Sequence, residues 1–206
     1  MRTQPQDVIA KLEADNSRLA KEKILLDAMN EGLDEFFEGL KMCLDKLYTF
    51  GVKQVPTKDE VVAGQGCPWN VFKDLAEKLY NRELTGHNAR DAINLVMSSA
   101  TAEQWNGFYR RILIKDLRCG VSEKTVNSVA KKNKFGKYMV PVFTCQLAHD
   151  SANHEKKLVG KKMLEVKLDG VRTLAIVHPD GKVDMLSRNG KEFTNFGHIQ
   201  DEISAV

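Results

Sequence analysis

Leu33, Phe36, Phe37, Leu40, Cys43, Leu44 and Leu47 recur at i, i+3, i+4, i+7, i+10, i+11 and i+14, one unbroken apolar stripe. That period admits little except an amphipathic helix whose stripe faces a core. Its neighbours agree. Ile9, Leu12, Leu19, Leu25 and Met29 stand among charges from Asp7 to about Met29. Asp15-Asn16-Ser17 divides that span into two helices, because such side chains favour caps over interiors. Gly51, Pro56, Gly64 and Gly66 break residues 48 to 67 into a loop, and Pro68 suits the first position of a helix running to about Tyr80. Another helix covers roughly His87 to Ser98. Thr101-Ala102-Glu103-Gln104 is a capping box, and the helix it opens carries Trp105, Phe108, Ile112 and Leu113 inward to an end near Leu117. Ser122 caps one more, from Glu123 to about Lys132.

The pattern changes after Tyr138. Met139-Val140-Pro141-Val142-Phe143 reads as extended, since proline and the residue before it disfavour helix. His149 to Lys162 is polar and lysine-rich, an exposed loop. Residues 163–168, 171–177 and 182–186 are rich in β-formers, and His178-Pro179-Asp180-Gly181 joins the last two as a hairpin turn. The expected fold is therefore multi-domain, α then α+β. An all-helical domain spans 1–138, and the beginning of a domain built on antiparallel strands spans 139–206.

At 42% hydrophobic and 29% charged over 206 residues, the composition is that of a soluble globular protein. No apolar run approaches the ~18 residues of a membrane span, so no membrane is expected. Met1 to Asp7 lacks the apolar stretch of a secretory signal. Cys43, Cys67, Cys119 and Cys145 are scattered, which fits reduced thiols and a cytoplasmic location. Neither they nor the five histidines have metal-ligand spacing, and no metal site in the scaffold is expected. The net charge of +3 is unevenly spread. Arg110 to Lys137 holds nine basic residues against Asp116 and Glu123, a local +7 that leaves about −4 elsewhere. A charge run is ordinarily a solvated face. Here it includes the Cys119-Gly120 turn and the Ser122 cap, and helix-start amides bind phosphate. Arg111, Lys115, Arg118, Gly120, Ser122 and Lys124 are the candidate nucleic-acid contacts.

Glu165-Val166-Lys167-Leu168-Asp169-Gly170-Val171-Arg172 carries the densest chemistry. A lysine attacks an electrophile only when neutral, and Val166 and Leu168 give Lys167 an apolar surround. Asp169 shares its face if the segment is a strand. Gly170 permits close backbone approach, and Arg172 can fork onto phosphate. The set suits a nucleotide pocket, and equally a strand–turn–strand with surface charges. Ser187-Arg188-Asn189-Gly190 is a turn, with Arg188 placed to meet phosphate.

These two segments resemble successive nucleotidyltransferase motifs of ATP-dependent DNA ligases. Arg82 to Ala89 and Arg110 to Ser122 resemble the amino-terminal DNA-binding domain of ligases from T-even-like bacteriophages, and Gln146-Leu147-Ala148 is similar to the element leading into the adenylation domain. The resemblance implies that Lys167 attacks the α-phosphate of ATP to give a lysyl-AMP. It implies that Glu165 recognises adenine and that Arg172 and Arg188 hold the ribose and phosphate. Magnesium (Mg2+) would be the metal cofactor, nicked double-stranded DNA the partner, and the intact enzyme a monomer. Further motifs that the family carries downstream are not among these 206 residues, which are therefore expected to be inactive alone. A non-catalytic duplex-binding remnant, or an RNA-ligase or capping-type nucleotidyltransferase, are the competing expectations.

Overall fold

The computed structural model describes residues 3–61, 64–146, 149–163, 165–166 and 169–205. Its contacts divide it into two compact units, Met1–Val142 and Phe143–Val206.

The first unit is helical: α1 Pro5–Ala14, α2 Arg18–Asn30, α3 Asp34–Leu44, α4 Trp69–Tyr80, α5 Gly86–Ser99, α6 Ala102–Gln104, α7 Arg110–Leu113 and α8 Glu123–Lys132. Ser17 caps α2 by accepting from the Ala20 amide at 3.5 Å, which fixes the break the sequence suggested. The stripe on α3 buries Phe36, Phe37, Leu40 and Cys43 against Phe72, Trp105, Phe108 and Ile112. Each such aromatic or leucine contributes roughly 1.5–3 kcal/mol of burial. Pro68 lies one residue outside α4, since its ψ of 147° is extended.

Two expectations for the sixth helix need correction. A π-turn, Trp105–Tyr109, separates α6 from α7, and α7 ends at Leu113 rather than near Leu117. The end is a reversal at Lys115, whose φ is +59°. Its amide donates to Ile112 O at 3.0 Å and the Asp116 amide to Arg111 O at 3.0 Å, the paired bonds of a left-handed helix stop. A lysine accepts that unfavourable backbone because its side chain is tied elsewhere: Nζ donates to Met42 O at 2.7 Å and Asp45 O at 2.5 Å, at the carboxyl end of α3.

Chain expected to start the second domain remains with the helices as far as Val142. Asn127 explains this, donating to Val140 O at 3.0 Å and accepting from the Val140 amide at 2.7 Å, with Val140 buried.

In the second unit β1 Thr173–Val177 pairs antiparallel with β2 Val183–Ser187, Thr173 opposite Ser187 and Val177 opposite Val183. Two turns of one design follow each other. Gly181 N donates to His178 O and His178 N to Lys182 O; Gly190 N donates to Ser187 O and Ser187 N to Lys191 O. Each is a three-residue loop whose glycine forms the bulge. The second turn brings Glu192 into a bridge with Leu186 on the free edge of β2. Helix α9 Gly197–Ser204, which the sequence reading lacked, packs on β2, its Gln200 side chain donating to Val183 O at 2.8 Å. The strand expected at 163–168 is not found among the described residues. Met163, Glu165 and Val166 are exposed and carry no described strand pairing, and Leu164, Lys167 and Leu168 lie outside the described residues. Asp150 to Leu158 contains two short 3-10 turns in place of a plain loop.

Candidate functional site

Within the basic run, the structure sorts cations into two kinds. Arg110 donates through Nε to Val55 O at 2.9 Å. Arg111 donates to Asn106 O at 3.1 Å and Leu117 O at 2.9 Å and pairs with Glu13 at 2.8 Å. Lys115 is spent on α3, and burial pulls its pKa down. Lys137 pairs with Asp34 at 3.0 Å. Arg110, Arg111 and Lys115 hold the helices together, so Arg111 and Lys115 are not surface contacts of the kind the sequence proposed, whereas Lys137 is itself exposed.

The other kind faces solvent. Arg118, Lys124, Lys131, Lys132 and Lys134 are exposed. Among the described residues Arg118 alone of these has a charged partner, Asp116 at 3.7 Å, and an exposed pair that long is worth little. On α8, Lys124, Lys131 and Lys132 lie at i, i+7 and i+8, one face, with Val126, Val129 and Ala130 buried opposite, α8 packing on α2. Positive φ at Arg118 (54°) and Gly120 (63°) folds the chain sharply into the start of α8. There Ser122 Oγ accepts from the Thr125 amide at 3.4 Å, so Arg118, Gly120, Ser122 and Lys124 share one turn. The turn leads into a helix amino terminus, whose backbone amides suit an oxyanion, and Arg118 and Lys124 flank it in sequence.

In the second unit, Lys167 lies outside the described residues, as do Leu147 and Ala148. Glu165 is exposed on irregular chain and makes no described contact with the two arginines. Arg172 and Arg188 are brought to one short segment. Arg172 Nη1 donates to Gln146 O and lies 3.8 Å from Cys145 Sγ, which in turn donates to Arg188 O at 3.6 Å. Gly190 closes the turn at φ +83°, where a Cβ would stand 2.5 Å from the Phe143 ring. The Phe143–Gln146 segment is thus a shelf against the Arg172 guanidinium and the Arg188 backbone carbonyl, a role that nothing in its own spacing announces. Among the described residues no group of three or more His, Cys, Asp or Glu could hold a metal ion. No helix there is long and apolar enough to cross a membrane.

A helical unit bearing a basic turn, followed by a small unit with an antiparallel hairpin, defines an α then α+β chain. No protein-family model matches it, and neither does any curated protein. Two solved structures, Pmar-Lig_Pre and Pmar-Lig_PreS3, are similar to it throughout: each is 60% identical with a TM-score of 0.83, over 98% of this chain and 46% of theirs. The chain therefore spans about half the length of these structures.

Proposed function

We propose that this chain supplies the duplex-gripping and nucleotide-accepting portion of an ATP-dependent DNA ligase. The observation that carries the reading is the sorting of the basic run. Cations with internal acceptors are structural, while those without cluster at one turn and one helix face, a phosphate footprint indifferent to base sequence. The Lys167 motif, the shelf shared by Arg172 and Arg188, and 60% identity to structures whose names carry "Lig" support the chemical half.

In this reading the neutral Lys167 amine attacks the α-phosphorus of ATP, a P–N bond forms and pyrophosphate leaves. The AMP passes to the 5′-phosphate of a nick, and the adjacent 3′-hydroxyl displaces it. Arg172 and Arg188 hold ribose and phosphate oxygens through planar, permanently charged forks. The described residues offer magnesium no ligand set, so no step is assigned to it within them. The test is to join the chain to the segment that completes the solved structures it resembles, supply ATP and magnesium, and map adducts by peptide mass spectrometry. An AMP adduct at Lys167 that Lys167→Ala abolishes is expected; an adduct at another residue, or none, refutes the assignment.

A further inference from the structure

Lys21, on α2, is 8% exposed, yet it carries a full ammonium into the base of the Arg118–Lys124 turn. Its one described acceptor is Cys119 O at 2.8 Å. An ammonium has three donors. The comparison with Lys58 is direct: that residue, 5% exposed, donates to Met97 O, Ser98 O and Ala100 O at 3.0, 2.8 and 2.6 Å. Lys58 is a completed cap, whereas Lys21 has two donors without a described acceptor. Two acids of the neighbouring helices are engaged elsewhere, Glu22 with Arg18 at 2.8 Å and Glu13 with Arg111 at 2.8 Å. A buried cation left short of acceptors is costly, and it favours any anion that can reach it.

Gly120 provides the way in. It is exposed, and a Cβ built on it would stand 2.6 Å from Lys21 Nζ. Any side chain there would sit against the ammonium; glycine leaves that side open. Around the opening lie the start of the ten-residue α8, the Ser122 cap, Arg118 and Lys124.

We infer that Lys21 is a phosphate-binding residue, reaching a backbone phosphate of the docked nucleic acid through the opening at Gly120. The inference rests on the duplex-binding reading and adds to it a contact from a different helix. One phosphate oxygen takes the donors Cys119 leaves over, and the α8 amides and Lys124 complete its shell.

The experiment measures nicked-duplex affinity against salt for wild type, Lys21→Met and Lys21→Arg, with folding checked by circular dichroism. Lys21→Met is expected to bind about tenfold more weakly and to lower the slope of log K against log salt by about 0.9, with Lys21→Arg restoring the slope. A wild-type slope reproduced by folded Lys21→Met overturns the inference while leaving duplex binding intact. Wild type with no salt-dependent binding overturns the reading beneath it as well. Should Lys21→Met not fold, the wild-type protein decides: the Lys21 Nζ resonance in 15N-lysine-labelled protein shifts on adding nicked duplex, and a stationary resonance overturns the inference.

Discussion

Lys58, Lys115 and Lys21 each carry an ammonium inside the helical unit, and each meets backbone carbonyls there. Helix carboxyl ends leave four carbonyls unpaired, and a lysine can satisfy several at once while complementing the helix dipole. Lys58 does this for α5 and Lys115 for α3. Replacing Lys58 by Met should therefore cost about 2 kcal/mol, through lost charged hydrogen bonds and stranded carbonyls. Urea unfolding should show a lower midpoint with an unchanged slope. Lys115→Met should destabilise similarly yet leave the salt dependence of DNA affinity at its wild-type value, because that ammonium is not offered to solvent. A fall in salt slope on Lys115→Met would return it to the footprint. Neither role was legible in the sequence. Arg111 and Lys115 read as members of a basic run, and their partners at Glu13, Met42 and Asp45 are distant in the chain.

Among the elements, periodicity carried the helices well because it is local. The α3 stripe, the Ser17 and Ser122 caps and the Thr101–Gln104 box each specify their own geometry within a few residues. What failed was non-local. The segment 163–168 has strand composition, yet pairing depends on an edge elsewhere, and its described residues take none. Helix α9 lacked a long stripe to announce it. The twin turns of the hairpin unit are testable. Asp184 pairs with Lys182 at 3.0 Å and accepts from His178 Nε2 at 2.8 Å, and these bonds, Lys182 first, hold its pKa below the ordinary 3.8. A depressed carboxylate stabilises the fold above its unfolded pKa and loses that contribution as pH falls through the folded value. The Asp184 side-chain carboxyl carbon should accordingly titrate below pH 3.8, and Lys182→Ala should move its midpoint upward; a wild-type midpoint at or above 3.8 would contradict the pairing. Gly190→Ala combines a left-handed backbone with a Cβ 2.5 Å from Phe143. It should loosen the second turn by about 1–2 kcal/mol, seen as faster amide exchange around Ser187 to Lys191.

For the whole molecule, the composition change after Tyr138 did mark two kinds of structure, although Asn127 holds the chain to the helical unit until Val142. The candidate sites were legible as residue types and much less as places. Arg118, Gly120, Ser122 and Lys124 do share a turn, because they are close in sequence. Among the described residues the Arg172 guanidinium and the Arg188 carbonyl are linked through Cys145, whose part depends on how the hairpin folds back. In the proposed function the exposed turn and face of α8 grip duplex phosphates. Nicked-duplex affinity measured from about 50 to about 200 mM salt tests it most directly, comparing wild type with the Arg118→Ala, Lys124→Ala double variant. The predicted result is a linear fall of log K with log salt whose slope shrinks by about 0.9 for each cation removed. An affinity indifferent to salt, or a slope the double variant leaves unchanged, would contradict it.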